Sequence, residues 1–232
     1  MSLILGIDTA TDVRAGLARD GEVVASGAVR DRRAHAEQLM PLVRRLLADA
    51  GVTMAELTGI VVGVGPGPFT GLRVGVASAL TLGEALGIDV HGVCSLDAIA
   101  TAWTLNHRGQ VLRFTADPPA EFAVVADARR KEVYWARYDG SGTRVDGPFV
   151  TTPDQVPDLP LAGPGAHLTG REPSGPTELD AGLMAAHLGH LADAGLEPLY
   201  LRRPDAEVPK TVKSTLLQAR IAMMTADTTE GR

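Results

Sequence analysis

The stretch "GPGPFTGLRVG", residues 65–75, lies between a short apolar run and a long helical pattern. The run before it, "GIVVGVG" at 59–65, is typical of a buried strand, and the pattern after it predicts a helix over 72–86. A strand that passes through a tight glycine-rich turn into a helix is the basic connection of α/β proteins. The stretch therefore predicts an α/β fold.

Glycine-rich turns that open helices also bind phosphate in some proteins, because the free N–H groups of the first helical turn attract anions. Gly65 and Gly67 permit backbone conformations that other residues avoid. Thr70 is a suitable N-cap for a helix that begins near Gly71. The turn lacks the lysine followed by serine or threonine that closes a P-loop. We favour a plain strand-to-helix turn over a phosphate site.

The pattern on either side of this turn divides the chain into two halves. Residues 1–103 run strand, hairpin, helix, strand, helix, strand, which predicts one lobe with a mixed sheet. Residues 104–207 form a second lobe, entered through a polar connection and containing two strands about a basic turn at Arg129–Lys131. A helix at 178–195 is predicted in this lobe, and a last helix at 208–225 is considered as a completion of the first lobe.

Composition limits the class of protein. The 232 residues are 45% hydrophobic and 22% charged, with a net charge of −6, so no overall attraction draws the chain to nucleic acid or to an anionic membrane. No stretch approaches the roughly 18 consecutive apolar residues of a membrane span. The single cysteine, Cys94, excludes an internal disulfide framework. We expect a cytoplasmic protein with no membrane partner.

Small residues recur at every fourth position of the helix after the glycine-rich turn. This spacing places them along one helical face, where the missing side chains let another backbone approach closely. Glycine inside a helix costs about 1 kcal/mol relative to alanine, so the stripe needs compensation from packing. Packing on the chain's own sheet and pairing with a partner protein are both open. The stripe consists of Gly71, Gly75, Ala79, Gly83 and Gly87.

Few residues indicate catalysis by the chain itself. The six histidines form no H-E-x-x-H pair, and Cys94 has no cationic neighbours that would activate a thiolate. Asp8 and Asp127 each end a strand-like run, the position at which actin-like ATPases place carboxylates towards a magnesium nucleotide. These two residues, with Gly65, Gly67 and Thr70, are the candidates for weak nucleotide binding. The basic segment around Arg129 favours a solvated hairpin turn over a nucleic-acid platform.

Several segments occur in the order found in one protein family. They are "ILGIDTATD", "HAEQLMPLV", "GVGPGPFTGLRVGVASALTLGEAL", "GVCSLDAIA", "DARRKEVYWARY" and "PLYLR". They cover residues 3–138 almost continuously and return at 198–202. With these segments the sequence resembles the TsaB (YeaZ) family, relatives of the transferase TsaD that were long labelled M22 glycoprotease-like proteins.

The resemblance implies an actin-like (ASKHA) α/β fold of two ribonuclease-H-like lobes, with mixed sheets flanked by helices. TsaD makes N6-threonylcarbamoyladenosine at position 37 of tRNAs that read ANN codons, and it binds its metal through an H-x-x-x-H pair. The matching segment here holds Cys94, Ser95, Leu96, Asp97 and Ala98, so this ligand set is missing. Asp127 is followed by Ala-Arg-Arg, where an actin-like ATPase has glycines.

The resemblance also implies partners: a TsaD-type transferase, a TsaE-type P-loop ATPase, a second copy of the chain through the same helices, and tRNA indirectly. ATP and a metal would be used by the partner subunits, and no cofactor or metal is expected for this chain alone. The glycine-stripe helix and the helix near "HAEQL" would form the interface. Its predicted residues are Leu39, Val43, Gly71, Leu72, Val74, Gly75, Val76, Ala79 and Leu80.

We therefore expect a non-catalytic scaffold subunit with no catalytic residues of its own. Two alternatives stay open. One is an independent actin-like ATP-binding enzyme that uses Asp8 and Asp127. The other, a remote one, is an M22-type metallopeptidase.

Overall fold

The computed structural model describes residues 1–30, 35–106 and 118–202. The predicted C-terminal helix at 208–225 lies outside the described residues. The described part forms two sheets with helices around them, and each sheet contains both antiparallel and parallel strand pairs.

The first sheet has the strand order β3-β2-β1-β4-β5. β1, β2 and β3 are antiparallel neighbours, and β4 and β5 run parallel to β1. A parallel neighbour needs a crossover, and the helices α1 and α2 provide it. The elements are β1 Leu3–Asp8, β2 Val13–Arg19, β3 Glu22–Val29, α1 His35–Asp49, β4 Gly59–Gly63, α2 Phe69–Leu86 and β5 Asp89–Val93.

The second sheet repeats the beginning of this topology. Its order is β8-β7-β6-β9, with β6, β7 and β8 antiparallel and the short β9 parallel to β6. The same arrangement in both sheets is the ribonuclease-H-like pattern, so the expected actin-like α/β fold is confirmed. The elements are α3 Ser95–Asn106, β6 Glu121–Arg129, β7 Glu132–Asp139, β8 Arg144–Thr151, β9 Leu161–Ala162 and α4 Ala181–Ala186.

The hydrophobic core has three layers, because the two sheets share one layer between them and each has another on its outer face. One layer packs α1 and α2 on the first sheet, a second fills the space between the sheets around α3 and α4, and a third covers the outer face of the second sheet. The predicted lobe limits 1–103 and 104–207 stay a prediction. Each sheet lies within one predicted lobe, whereas α4 comes from the second half and packs on the first sheet.

The contact between α4 and the first sheet is unusually close, because glycines lie on both sides of it. A Cβ atom on Gly6 would overlap the carbonyl oxygen of Ala181, and one on Gly16 would overlap the backbone nitrogen of Gly182. Polar contacts hold the same element in place. Ser26 Oγ donates a hydrogen bond of 2.6 Å to Asp180, whose carboxylate also caps the N-terminus of α4.

Two helix predictions need correction. α2 begins at Phe69, with Pro68 as its N-cap, so Thr70 lies in the first turn as an exposed residue and is not the cap. The helix predicted over 178–195 is the short α4 followed by a 3-10 turn, because glycines at 182 and 189 weaken helix propagation.

Candidate functional site

The carboxylate of Asp8 lies at the carboxyl end of β1 and is buried. Its Oδ2 atom accepts a hydrogen bond of 2.5 Å from Ser95 Oγ, and its Oδ1 atom accepts one of 3.0 Å from the backbone N–H of Ala10. Ser95 begins α3, and its own N–H donates to the carbonyl of Gly65 at 2.7 Å. Asp8 therefore ties the first strand, the glycine-rich turn and α3 together.

Burial governs the charge of this carboxylate. Desolvation raises the pKa of Asp8 above its ordinary value of 3.8, although the hydrogen bonds from Ser95 and Ala10 act in the opposite direction. Gly63 leaves the space that the carboxylate needs, since a Cβ atom there would overlap Asp8 Oδ2. The missing side chain at Gly63 thus makes room for the Asp8 carboxylate.

The space in front of Asp8 is small. The cavity has a volume of about 20 Å³, enough for one water molecule, whereas ligand pockets usually measure about 300–1,000 Å³. Residues from both halves of the chain enclose it, including Arg14, Pro66, Ala126 and Pro164. This space is therefore much smaller than an ordinary ligand pocket.

Asp127, the second predicted carboxylate, does not line this cavity. It follows Ala126, which does line it, and successive side chains of a strand point to opposite faces. Asp127 instead accepts a hydrogen bond of 2.7 Å from the N–H of Arg129 and pairs with the guanidinium of Arg129 at 3.1 Å. The structure therefore does not bring Asp8 and Asp127 together at this cavity.

The glycine-rich turn itself is compact. Gly65 has a left-handed φ of 106°, which favours glycine, and Gly67 packs so closely on Ala10 that a Cβ atom would need a shift of the neighbouring backbone. Thr70 is exposed at the beginning of α2. The turn joins β4 to α2, as the sequence predicts, and nucleotide binding by its residues stays a prediction.

The pKa of Asp8 makes a test of its environment possible. The pKa of Asp8 is raised in the folded state, so the protonated carboxyl group contributes to the free energy of unfolding. This contribution is complete below pH 3.8, the ordinary pKa of aspartate, and is lost as the pH rises above that value. We expect Asp8→Asn, which cannot ionise, to gain stability relative to the wild type between pH 4 and pH 8. Urea unfolding midpoints of both proteins across this range measure the difference. A constant difference would contradict the raised pKa.

The segment that matches the TsaD metal ligands makes internal contacts in this chain. Tyr138 donates a hydrogen bond of 2.8 Å to the buried carboxylate of Asp97, and Arg144 lies 3.6 Å from the same oxygen. Cys94 is fully buried, and burial raises the pKa of its thiol to about 12, so the thiol stays protonated near neutral pH. Among the described residues, no three histidine, cysteine or acidic side chains are grouped to hold a metal ion.

Two glycines of the stripe, Gly75 and Gly83, pack closely on other parts of the chain. A Cβ atom on Gly75 would overlap Thr9 Oγ1, and one on Gly83 would overlap the side chain of Val90. Thr9 Oγ1 also donates a hydrogen bond of 2.8 Å to the carbonyl of Gly71. Gly75 and Gly83 therefore pack within the chain, and pairing of α2 with a partner protein stays a prediction.

Most of the predicted interface residues are buried in the core of the first sheet. Val74 is half-buried, and Leu80 is 42% exposed on the outer side of α2. The other predicted residues have almost no accessible surface, so they can position the residues of an interface but cannot contact a partner themselves. They are Leu39, Val43, Gly71, Leu72, Gly75, Val76 and Ala79. Partner binding through this region stays a prediction, and Leu80 is the most exposed of the predicted interface residues.

Sequence reasoning missed a cluster at the first turn of α2. The ring of Phe69 stacks on Tyr200 with centroids 4.2 Å apart, and Arg73 Nε donates to the hydroxyl of Tyr200 at 3.0 Å. The guanidinium of Arg73 lies within 6 Å of both ring centroids, the range of a cation–π contact. Phe69 and Arg73 belong to the motif "GPFTGLR", whereas Tyr200 belongs to "PLYLR", far along the chain. The sequence does not show that these two motifs lie side by side in the folded chain.

The basic turn, Arg129–Lys131, has an unusual backbone. Its three residues have φ values of 65°, 53° and 64°, all in the left-handed region that L-residues other than glycine rarely adopt. Such a conformation costs about 1–2 kcal/mol for each residue. The hairpin at Asp20–Gly21 uses the same two-residue turn with the residues that favour it.

Comparisons with known proteins place these features in context. Residues 27–168 match the family model described as TsaD, tRNA N6-adenosine threonylcarbamoyltransferase. An uncharacterized protein of Mycobacterium tuberculosis is 50% identical over 218 residues, covering 89% of this chain and 95% of that protein. The tRNA threonylcarbamoyladenosine biosynthesis protein TsaB of Escherichia coli is 34% identical over 137 residues, covering 58% of this chain and 54% of that protein.

One comparison concerns the three-dimensional structure. YeaZ from Pseudomonas aeruginosa has a TM-score of 0.65 and 28% identity, covering 87% of this chain and all of that chain. In the part of the chain that the structure describes, no helix has the length and hydropathy to cross a membrane.

Proposed function

Because the chain belongs to the TsaB (YeaZ) family, within the group that the TsaD family model describes, we propose that it supports N6-threonylcarbamoylation of adenosine 37 in tRNA as a non-catalytic subunit. In this proposal it pairs with a TsaD-type transferase, which carries out the reaction on tRNAs that read ANN codons. The names of the E. coli and Bacillus subtilis relatives, both biosynthesis proteins for this nucleoside, support the pathway.

The closed cavity at Asp8 carries the non-catalytic part of the proposal. An actin-like enzyme needs an open cleft between its lobes, and here the corresponding space holds about one water molecule. Asp8 is already satisfied by Ser95 and Ala10, and Asp127 by Arg129. Both carboxylates thus serve the chain's own structure.

The outer face of α2 is the surface that we assign to the transferase or to a second copy of the chain. It carries the exposed Leu80 between the exposed residues Ala77 and Glu84. Beneath it, Gly75 packs closely on Thr9 and Gly83 packs closely on Val90. A TsaE-type ATPase joins the assembly as a third partner, and ATP and a metal are used by the partner subunits.

Reconstitution tests the proposal. The transferase, the ATPase, tRNA, threonine, bicarbonate and ATP are combined with and without this chain, and threonylcarbamoyladenosine is quantified by mass spectrometry. We expect product only when the chain is present, and none from the chain alone. Equal product without the chain would contradict the proposal.

Calorimetry of the isolated chain with ATP and Mg²⁺ is the accompanying control. The small cavity predicts no tight binding. Tight binding that Asp8→Ala abolishes would replace the scaffold role with that of an ATP-using enzyme.

A further inference from the structure

We propose that a cavity between α3, the β7–β8 turn and the segment after α4 binds a free α-amino acid through Asp97, Thr101 and Arg144. The cavity has a volume of about 370 Å³, which lies within the usual range of small-molecule pockets. It shares no lining residue with the small space at Asp8. The inference does not depend on the proposed function.

The walls of the cavity are held in place by the chain's own contacts. They come from α3, from the turn at 141–144 and from residues 190–192. The turn approaches α3 so closely that a Cβ atom on Gly142 would overlap Thr104 Oγ1. The carboxylate of Asp139 orders the same turn by accepting two backbone hydrogen bonds from it, of 2.9 and 3.0 Å. The cavity is therefore formed before any ligand binds.

Asp97 is buried, and one of its two carboxylate oxygens is used inside the chain. Oδ1 accepts a hydrogen bond of 2.8 Å from the Tyr138 hydroxyl and lies 3.6 Å from Arg144 Nε. Oδ2 has no hydrogen-bond partner in the described part of the chain. The side-chain atoms there that lack both a partner and accessible surface are Arg137 Nε and His187 Nε2, so Oδ2 keeps accessible surface. Because Asp97 lines the cavity, this oxygen is open to a ligand.

Two further groups of the lining have no partner among the described residues. One is the hydroxyl of Thr101, a residue that is only 7% exposed. The other is the pair of terminal nitrogens of Arg144, since its contact with Asp97 uses Nε. Buried polar groups are normally hydrogen-bonded, so these groups around one cavity indicate a site that a polar ligand completes.

The opposite charges of Asp97 and Arg144 select the class of ligand. A simple anion would be repelled by the carboxylate, and a simple cation by the guanidinium. A zwitterion can place its ammonium group on Asp97 and its carboxylate on the terminal nitrogens of Arg144, which form a fork suited to carboxylates. A free α-amino acid carries both groups on one carbon atom, as two protein charges 3.6 Å apart require. Leu105 and Leu191 provide apolar lining for its side chain.

Isothermal titration calorimetry of the full chain tests the proposal, with glycine, L-serine, L-threonine and L-leucine as probes. We expect at least one of them to bind with a Kd below about 1 mM. The methyl ester of that amino acid lacks the carboxylate, and its N-acetyl derivative lacks the ammonium group. Each should bind at least about tenfold more weakly, because each loses a charge-assisted hydrogen bond.

Asp97→Asn is the first variant, because the amide keeps the shape of the side chain and can still accept the hydrogen bond from Tyr138. Without the negative charge, the affinity for the amino acid should fall at least about tenfold. Asp146→Asn is the matched control, since it makes the same change at an exposed residue of β8 outside the cavity. The control should leave the affinity unchanged.

Thr101→Val is the second variant, and it separates ligand binding from folding. Its hydroxyl makes no hydrogen bond with the described residues, so its removal should not lower the urea midpoint. The affinity should nevertheless fall about threefold or more. This variant decides the matter if Asp97→Asn lowers the urea midpoint.

Three results would overturn the proposal. One is that no probe binds with a Kd below about 1 mM. Another is an affinity that neither Asp97→Asn nor Thr101→Val changes. The third is binding of inorganic phosphate or acetate as tight as that of the amino acid, which would make the cavity an anion site of Arg144 alone. These measurements use the isolated chain, so their failure is distinct from a failure of the reconstitution experiment.

Discussion

Gly16→Ala is expected to destabilise the chain by about 3 kcal/mol, the upper part of the range for overpacked cores. The added Cβ atom would overlap the backbone nitrogen and Cα atom of Gly182 in α4. A backbone cannot rotate away as a flexible side chain can, so α4 would have to leave the first sheet. The free energy of unfolding from urea titration, followed by far-UV circular dichroism, measures the loss.

Gly189→Ala is the matched control, because its new Cβ atom meets nothing within 4 Å and the residue is exposed. We expect a change within about 0.5 kcal/mol for this variant. If Gly16→Ala changed the free energy of unfolding as little as the control does, the result would contradict the close contact between α4 and the first sheet.

Leu80→Arg is expected to weaken pairing with the transferase by at least tenfold and to lower threonylcarbamoyladenosine formation in parallel. Leu80 is 42% exposed on the outer face of α2, so the isolated chain should keep its stability. In a complex, the new charge would lose its water without gaining a partner, which costs several kcal/mol in a dry interface. Analytical ultracentrifugation or calorimetry with the purified transferase measures the affinity.

Val145→Arg provides the comparison, since Val145 is similarly exposed, at 47%, but lies on β8 of the second sheet. It should leave pairing unchanged. Gly75 is unsuitable for this test, because a side chain there would disturb Thr9 of the same chain before it reached any partner. Unchanged pairing by Leu80→Arg would remove the outer face of α2 from the interface.

Local chemistry was sufficient to predict many of the elements. The hairpin at Asp20–Gly21 follows from turn residues that favour positive φ, and the helix end at Leu86 follows from Gly87, which adopts a left-handed conformation. The beginning of α2 was misplaced by one turn. Thr70 has a side chain suited to an N-cap, but the helix begins at Phe69 with Pro68 as the cap. The sequence is compatible with either starting point.

The candidate site was harder to predict because its contacts are long-range. The fourfold spacing of small residues shows that one face of α2 is flat, but a flat face fits a sheet as well as a partner. Only the tertiary structure shows that Thr9 and Val90 cover it. Likewise, the sequence places Asp8 and Asp127 at strand ends, whereas the direction of each side chain depends on register and on the neighbouring Arg129.

The position of α4 has a consequence for synthesis on the ribosome. The last strand of the first sheet ends at Val93, and α4, which covers one face of that sheet, begins about 90 residues later at Ala181. At roughly 5–20 residues per second, the nascent first lobe waits about 5–20 s for this helix. During that interval the face of β1 and β2 around Gly6 and Gly16 is open to water or to chaperones, so the first sheet is covered on this face only after the strands of the second sheet have emerged.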